Sequence, residues 1–190
     1  MRAGANETPP LELVVFTGLQ ASGKSTFYSE RFAATHEHVS KDLLRNNRNR
    51  NRRQTQRIEA ALRSGSLVVV DNTNPTVGDR RPLILLGREL GATTVGYYFD
   101  STVRGCVERN RLRTGKAKVP DVAIYATASK LVPPSYSEGF DELFAVSLTG
   151  PSFEVLAHAR DAAAQPPGAR GSARWGDDPD DTVGQIRKGE

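Results

Sequence analysis

The chain has 190 residues, 37% of them hydrophobic, which is enough for one domain with a substantial core but not for two full α/β domains. Its only cysteine is Cys106, so an internal disulfide is excluded and a reducing, cytoplasmic location is predicted. The N-terminus lacks the apolar core of a signal peptide, and no apolar run is long enough to span a membrane. We therefore expect neither secretion nor membrane insertion, and the net charge of +4 predicts an anionic partner.

The predicted elements alternate between strands and helices, a pattern typical of a mostly parallel sheet covered by helices on both faces. Apolar, β-prone runs predict strands at 11–17, 38–40, 67–70, 93–99 and 143–148. Amphipathic spacing and stop signals predict helices at 26–34, 53–63, 78–90, 102–113 and 122–131. Beyond residue 150 the composition turns to Ala, Gly, Pro and charge, which predicts a mostly disordered tail. We therefore predict a flexible N-terminus at 1–10, an α/β domain at 11–150 and a tail at 151–190.

The segment between the first strand and the first helix reads Gly-Leu-Gln-Ala-Ser-Gly-Lys-Ser, which is the phosphate-binding P-loop pattern. Its backbone N–H groups and the helix that follows attract phosphates, while Lys24 supplies a cation and Ser25 a hydroxyl ligand for Mg²⁺. The alternative is a Gly/Ser-rich turn that matches by chance, which the flanking strand and helix disfavour. We predict ATP binding through Gly18, Ala21, Ser22, Gly23, Lys24, Ser25 and Thr26.

A second polar segment, Asp-Asn-Thr-Asn at 71–74, directly follows the third predicted strand. Because the carboxyl ends of parallel strands meet at one edge of a sheet, Asp71 is expected beside the P-loop, where it can hold Mg²⁺ or anchor an arginine. Asn72, Thr73 and Asn74 are predicted to bind phosphate, ribose or acceptor groups there. The alternative is that Asp71 and Asn72 only form the turn and that Thr73 or Thr76 caps the next helix.

Asp42 and Arg45 follow the short second strand and are predicted to emerge at the same edge of the sheet. A carboxylate there can accept the proton of an attacking hydroxyl, which is what distinguishes a kinase from a hydrolase. Arg45, three residues on, can bind a phosphate of the acceptor. The alternative is a helix cap followed by an exposed arginine.

Two basic segments frame these motifs. Seven basic residues lie between Lys41 and Arg57 against the single acid Asp42, a density suited to the phosphates of a nucleic acid, although a solvated basic surface is the alternative. Arg109 and Arg113 lie on one helix face before a Gly-containing basic loop, which predicts a lid over ATP phosphates. The alternative for these two arginines is a cationic helix end at the surface. The three histidines lack metal-ligand spacing, and we predict that they are structural or solvated.

Taken together, the motifs resemble the kinase domain of the polynucleotide 5′-hydroxyl kinase family, within the larger group of P-loop kinases. The likeness covers residues 11–148. Its parts are the GLQASGKST loop, the Asp42-x-x-Arg45 pair, VDNTNP at 70–75, RNRLRTGKAKVP at 109–120 and PSYSEGFDEL at 134–143. The combination is much more specific than the P-loop alone.

The resemblance implies that Asp42 is the general base toward a 5′-hydroxyl, that Arg45 contacts an acceptor phosphate and that Arg113 contacts the ATP phosphates. It predicts an ATP- and Mg²⁺-dependent kinase with a P-loop fold and a basic lid. Its acceptors would be single-stranded or nicked 5′ ends of DNA or RNA in nucleic-acid repair or processing, with repair proteins as possible partners. The same motifs also resemble kinases of seryl-tRNA and of small hydroxyl compounds, and an ATP-hydrolysing switch module is a further alternative.

Overall fold

The computed structural model describes residues 10–44 and 49–160. Its six strands form one sheet in the order β2-β3-β1-β4-β5-β6, parallel except for β6. The strands are β1 (Glu12–Gly18), β2 (His36–Val39), β3 (Leu67–Val70), β4 (Thr93–Asp100), β5 (Glu142–Thr149) and β6 (Ser152–Ala157).

Five α-helices connect these strands: α1 (Lys24–Arg31), α2 (Arg50–Arg63), α3 (Val77–Glu89), α4 (Val103–Arg111) and α5 (Asp121–Ala128). Short 3₁₀ turns lie at Lys41–Leu44, Gly115–Ala117 and Tyr136–Glu138. Each predicted strand and helix is present with somewhat shifted ends; α2, for example, begins at Arg50 rather than at 53. None of the described helices has the length and apolar character needed to cross a bilayer.

Successive residues of a strand point to opposite sides of the sheet, and helices pack on both sides, so both faces of the sheet are buried. Leu13 and Val15 pack with residues of α2 and α3, whereas Val14 and Phe16 pack with Phe27 of α1 and its neighbours. All four β1 side chains are fully buried. The two cores confirm the predicted fold class, a mostly parallel sheet with helices on both faces.

The order of the strands reverses at β1, which pairs with β3 on one side and with β4 on the other. In open α/β sheets, ligands bind at the carboxyl ends of the strands next to such a reversal. The P-loop follows β1, and the loops after β2 and β3 begin at the same edge of the sheet. The topology therefore places all three polar segments of the sequence around one position.

A buried ion pair fixes the loop that follows β3. Arg80 of α3 is fully buried and binds both oxygens of Glu138, from Nε to Oε2 at 2.8 Å and from Nη2 to Oε1 at 2.7 Å. Its Nη1 donates to the carbonyl oxygens of Asn74 and Val132, each at 3.0 Å. Arg80 thus joins α3 to two loops beside the carboxyl edge of the sheet.

The predicted domain boundary at residue 150 is wrong, because the chain turns at Gly150 and returns as β6, antiparallel to β5. Phe153 of β6 packs on Phe27 with a ring-centroid separation of 5.1 Å. A Cβ on Gly23 of the P-loop would lie only 2.9 Å from the Phe153 ring. β6 is mostly exposed, so it shows little apolar periodicity, and pairing with β5 is what makes it a strand. The predicted N-terminal segment up to residue 9 and the tail from 161 onward lie outside the described residues.

Candidate active site

The P-loop curves tightly between β1 and α1. Gly18 donates its N–H to the Thr73 carbonyl at 2.9 Å, and a Cβ at Gly18 would lie 2.8 Å from the Phe99 Cβ. Gly23 has a φ of 100°, a left-handed conformation that glycine adopts without strain. Ala21 has a φ of 59° although it is not glycine. The loop therefore requires glycine at Gly18, where a side chain would collide with Phe99, and at Gly23, and it carries backbone strain at Ala21.

Lys24 folds back into the loop that carries it. Its ammonium donates to the carbonyl of Gly18 at 3.1 Å, to the carbonyl of Leu19 and to the Ser22 hydroxyl at 3.2 Å. Burial lowers the pKa of Lys24 to about 8, and the charge of Asp71 opposes that shift only in part. Three neutral oxygen partners thus hold a cation that a phosphate would stabilise far better.

Asp71 directly follows β3 and is buried, and one of its oxygens accepts two hydrogen bonds. The Ser25 hydroxyl donates to Oδ2 at 2.7 Å, and Nε2 of His38 lies 3.1 Å from the same oxygen. Burial by itself raises the pKa of Asp71, but the bonds from His38 and Ser25 together with the Lys24 charge outweigh it. The pKa of Asp71 therefore lies below its ordinary value, and the carboxylate is ionised at neutral pH.

Ser25 and Asp71 fit a Mg²⁺ ion as two of its ligands. A hydroxyl and a carboxylate are hard oxygen donors, and Mg²⁺ in phosphoryl-transfer sites commonly takes one or two protein ligands beside phosphate oxygens and waters. Among the described residues, no group of three or more His, Cys, Asp or Glu could hold a metal ion alone. This donor set therefore suits a metal that arrives with a nucleotide rather than a permanent protein-only site.

Nine of the predicted site residues meet in one cleft of about 450 Å³, called here the main cleft. They are Ala21, Gly23, Lys24, Ser25, Asp42, Asp71, Asn72, Thr73 and Arg113. Gln20, Leu43 and Lys116 line it as well. The cleft thus combines a phosphate-binding loop, two carboxylates and an arginine from the lid.

Asp42 is exposed on the 3₁₀ turn after β2, and Asn72 holds that turn in place. Asn72 accepts a hydrogen bond from the Lys41 N–H at 2.9 Å and donates from Nδ2 to Gln54 of α2 at 2.8 Å. The Ser40 hydroxyl accepts from the Asp42 N–H at 3.3 Å. The amide of Asn72 therefore fastens the segment that carries Asp42 to both β3 and α2. Arg45, predicted to act with Asp42, lies outside the described residues.

The structure corrects the prediction that Asn74 binds a substrate. Its side chain is buried, and Nδ2 donates to the Phe16 carbonyl at 2.8 Å. Its backbone has a φ of 39° and its own carbonyl accepts from Arg80. Asn74 is a turn residue that ties the loop after β3 to β1, a role that the sequence did not predict for it.

Arg109 and Arg113 bring the lid, defined here as residues 109–118, against the P-loop. Arg109 donates from Nε to the Ala21 carbonyl at 2.7 Å, and Nη1 of Arg113 lies 3.4 Å from the Ala117 carbonyl. Both arginines line a second cleft of about 320 Å³, called here the side cleft. The remaining lining comes from the P-loop and the β5–β6 hairpin: Ala21, Gly23, Thr26, Leu148, Gly150, Pro151 and Phe153. Ala21, Gly23 and Arg113 belong to both clefts, so the two are contiguous.

Two features of the site were not found from the sequence. Pro151 and Phe153, part of the hairpin wall of the side cleft, were assigned to the mostly disordered tail. His38 was predicted to be structural or solvated, yet it bonds to Asp71 because β2 and β3 pair in a register that aligns His38 with Val69. Strand register is a long-range property, and the sequence offered only the position of His38 near the end of a strand as a signal.

Residues 13–134, more than half of the chain, match the AAA domain family, AAA_33. The chain belongs to this family. A curated relative of this AAA domain is the bifunctional polynucleotide phosphatase/kinase of Schizosaccharomyces pombe, 29% identical over 136 residues that cover 68% of the chain and 32% of the relative. The chain thus spans about a third of that relative's length. This match confirms the resemblance to polynucleotide kinases.

Solved structures of P-loop kinases share the fold of this AAA domain. A fungal RNA kinase superposes with a TM-score of 0.57 at 16% identity, covering 74% of this chain and 39% of that protein. A gluconokinase from Sinorhizobium meliloti 1021 gives a TM-score of 0.53 at 21% identity, covering 75% and 85%. At these identities the comparisons show the fold alone, which is the nucleotide-binding fold of kinase-type P-loop phosphotransferases.

Proposed function

We propose that this domain transfers the γ-phosphoryl group of ATP to the 5′-hydroxyl of a polynucleotide, with Mg²⁺ as cofactor. The observation that carries the proposal is that Asp42 lines the same cleft as Lys24, Ser25 and Asp71. A carboxylate outside the P-loop and apart from the metal ligands is what a kinase needs to accept a proton from its acceptor.

The donor half is supported by the contiguity of the two clefts. The nucleoside of ATP would lie in the side cleft, against Thr26, Arg109 and Phe153, and its phosphates would follow the P-loop into the main cleft. Lys24 would exchange its carbonyl partners for phosphate oxygens, and Arg113, which belongs to both clefts, would neutralise charge on the transferred group. Ser25 and Asp71 would hold Mg²⁺, which would supply further charge neutralisation at the phosphates.

The transfer itself requires little covalent chemistry from the protein. The acceptor hydroxyl oxygen bonds to the γ-phosphorus as the bond between that phosphorus and the β–γ bridging oxygen breaks, releasing ADP. The hydroxyl proton passes to the Asp42 carboxylate. Asn72, through its bond to the Lys41 N–H, keeps the Asp42 turn beside the loop that positions ATP.

The acceptor half is supported by the placement of α2. Gln54 of α2 is buried and bonds to Asn72, so the first half of this helix lies next to the main cleft. Arg50, Arg52 and Arg53 are exposed on its first turn, which contains no acidic residue. Cations in that position can contact the phosphates of a strand whose 5′ end enters the cleft.

Labelling with γ-³²P-ATP tests the proposal. The protein is incubated with a 5′-hydroxyl oligonucleotide and, separately, with a deproteinised metabolite extract. Label at the 5′ end of the oligonucleotide supports the proposal, label in a small metabolite overturns the polynucleotide acceptor, and label only in inorganic phosphate overturns the kinase assignment.

Asp42→Asn tests the base in the same assay. It should lose at least about a hundredfold in transfer rate and retain ATP affinity, because the base acts on the acceptor. Glu108→Gln, which alters an exposed carboxylate of α4 paired with Arg104, is the matched control and should transfer normally. Unchanged transfer by Asp42→Asn would exclude Asp42 as the base.

A further inference from the structure

His38 lies at the end of β2 in a position that the reaction just described does not use. Its Nε2 is 3.1 Å from Oδ2 of Asp71, and its ring stacks on that of Tyr28 at a centroid separation of 4.1 Å and an interplanar angle of 15°. Tyr28 is itself anchored, since its hydroxyl donates to the His36 carbonyl at 2.8 Å. The imidazole is therefore held on one face by α1 while its edge meets the carboxylate.

Asp71 receives donors from two directions at a single oxygen. Because an ionised carboxylate only accepts hydrogen bonds, the Nε2 of His38 must carry the proton in this contact. Ser25 donates to the same oxygen from the start of α1. Two donors from different elements, α1 and β2, leave the carboxylate little rotational freedom, whereas Ser25 alone would leave it free to turn about that bond.

We propose that His38 is a positioning residue for the metal site, and that its Nε2–H holds the Asp71 carboxylate in the orientation required to bind Mg²⁺ together with Ser25. This inference rests on the proposed function, in which Ser25 and Asp71 hold the ion. Hydrogen-bond partners behind metal ligands commonly affect metal affinity by about 10- to 100-fold.

The chain offers a matched control two residues away. His36 lies on the same strand, and its Nε2 contacts a carboxylate, Oε1 of Glu12, at 3.0 Å. It also contacts an aromatic ring, that of Phe32, at 4.9 Å. Neither Glu12 nor His36 lines a described cleft. The same substitution at the two histidines therefore separates loss of a histidine–carboxylate bond in general from loss of the bond to Asp71.

The test measures binding of Mn²⁺, a substitute for Mg²⁺ visible by electron paramagnetic resonance, to the complex of the protein with ADP. His38→Phe keeps a ring for Tyr28 but lacks the N–H, and should bind Mn²⁺ about tenfold or more weakly. His38→Gln restores a donor and should bind Mn²⁺ within about threefold of the wild type. His36→Phe should match the wild type, and ADP affinity in EDTA should be the same for all variants.

The outcomes separate this inference from the function on which it rests. Wild-type Mn²⁺ affinity in His38→Phe, with weakened affinity in Asp71→Asn, would overturn the positioning role and leave the metal role of Asp71 intact. Wild-type affinity in Asp71→Asn would instead overturn the metal role itself. Equal weakening by Phe and Gln would show that a donor at position 38 does not restore Mn²⁺ binding, and would also refute the inference. If His38→Phe does not fold, His38→Asn, whose shorter amide ends before Asp71, replaces it in the comparison with Gln.

Discussion

Arg109 of the lid donates a hydrogen bond from Nε to the carbonyl oxygen of Ala21, at 2.7 Å, and Ala21 is the residue of the P-loop that holds a left-handed backbone without being glycine. The bond joins α4, which follows β4, to the loop that follows β1. It fixes the peptide whose conformation is the least favourable in the loop. The lid and the phosphate-binding loop therefore form one connected unit.

Ala21→Gly should stabilise the protein. The left-handed conformation costs an alanine roughly 1–2 kcal/mol. Glycine removes this cost, but its greater conformational freedom in the unfolded chain offsets part of the stabilisation. We expect a net gain of about 0.5–1 kcal/mol, or an increase in Tm of about 1–4 °C, in thermal unfolding followed by circular dichroism. Ala60→Gly on the exposed side of α2 is the control and should destabilise by about 1 kcal/mol. A lower Tm for Ala21→Gly would show that Ala21 is not strained.

Arg109→Lys should weaken ATP binding by about 5- to 30-fold although the charge is kept. The lysine cannot reproduce the directed Nε–H bond to Ala21 together with the planar group that lines the side cleft. Isothermal titration calorimetry measures the effect. Arg104→Lys, a highly exposed position on the same helix, should leave affinity unchanged. Equal ATP affinity for the two variants would exclude a role for Arg109 in nucleotide binding.

Arg80→Met should lower the free energy of unfolding by about 3–5 kcal/mol, measured by urea denaturation, because it leaves Glu138 buried and unpaired. The double variant Arg80→Met/Glu138→Leu should recover a substantial part of the loss, since it removes the buried charge as well. If the double variant is no more stable than the single one, the bonds from Arg80 to the Asn74 and Val132 carbonyls, rather than its pairing with Glu138, dominate.

ATP affinity, measured in EDTA, should fall as the pH rises through about 8. The pKa of Lys24 is about 8 in the free protein, because burial disfavours the charged form, and bound phosphates must raise it. The complex therefore holds more protons than its separate components above that pH, so binding takes up a proton and weakens by up to about tenfold per pH unit. Titration calorimetry in buffers of different ionisation enthalpy measures the number of protons taken up on binding. Lys24→Met should take up no proton.

Replacing Arg50, Arg52 and Arg53 with glutamine should reduce the salt dependence of oligonucleotide binding. Each lost phosphate contact lowers the slope of log K against log salt by about 0.7 for a single strand, so the change should reach about 2. Fluorescence anisotropy between 50 and 200 mM salt measures the slope. Arg63→Gln, at the other end of α2 and paired with Glu59, should leave the slope unchanged. An unchanged slope in the triple variant would exclude this surface from the acceptor site.

The sequence by itself determined the features that depend on local chemistry. The spacing of Gly18, Gly23, Lys24 and Ser25 specifies the P-loop, because backbone turns and helix starts are set by residues close together in the chain. Asp42 and Asp71 follow predicted strands closely, which placed both carboxylates near the sheet edge, because strands of a parallel sheet end on the same side. In the structure Gly23, Lys24, Ser25, Asp42 and Asp71 line the main cleft together.

Only the tertiary structure decided which polar groups face the cleft and which are used to hold it. Asn74 and Asn72 lie two residues apart in one motif. The buried side chain of Asn74 donates a hydrogen bond to the Phe16 carbonyl, whereas Asn72 holds the turn that carries Asp42. The contact of His38 with Asp71 depends on strand register, and the β6 wall of the side cleft depends on pairing with β5. Such contacts join residues far apart in the chain, and their free energy comes from packing and pairing that no local pattern encodes.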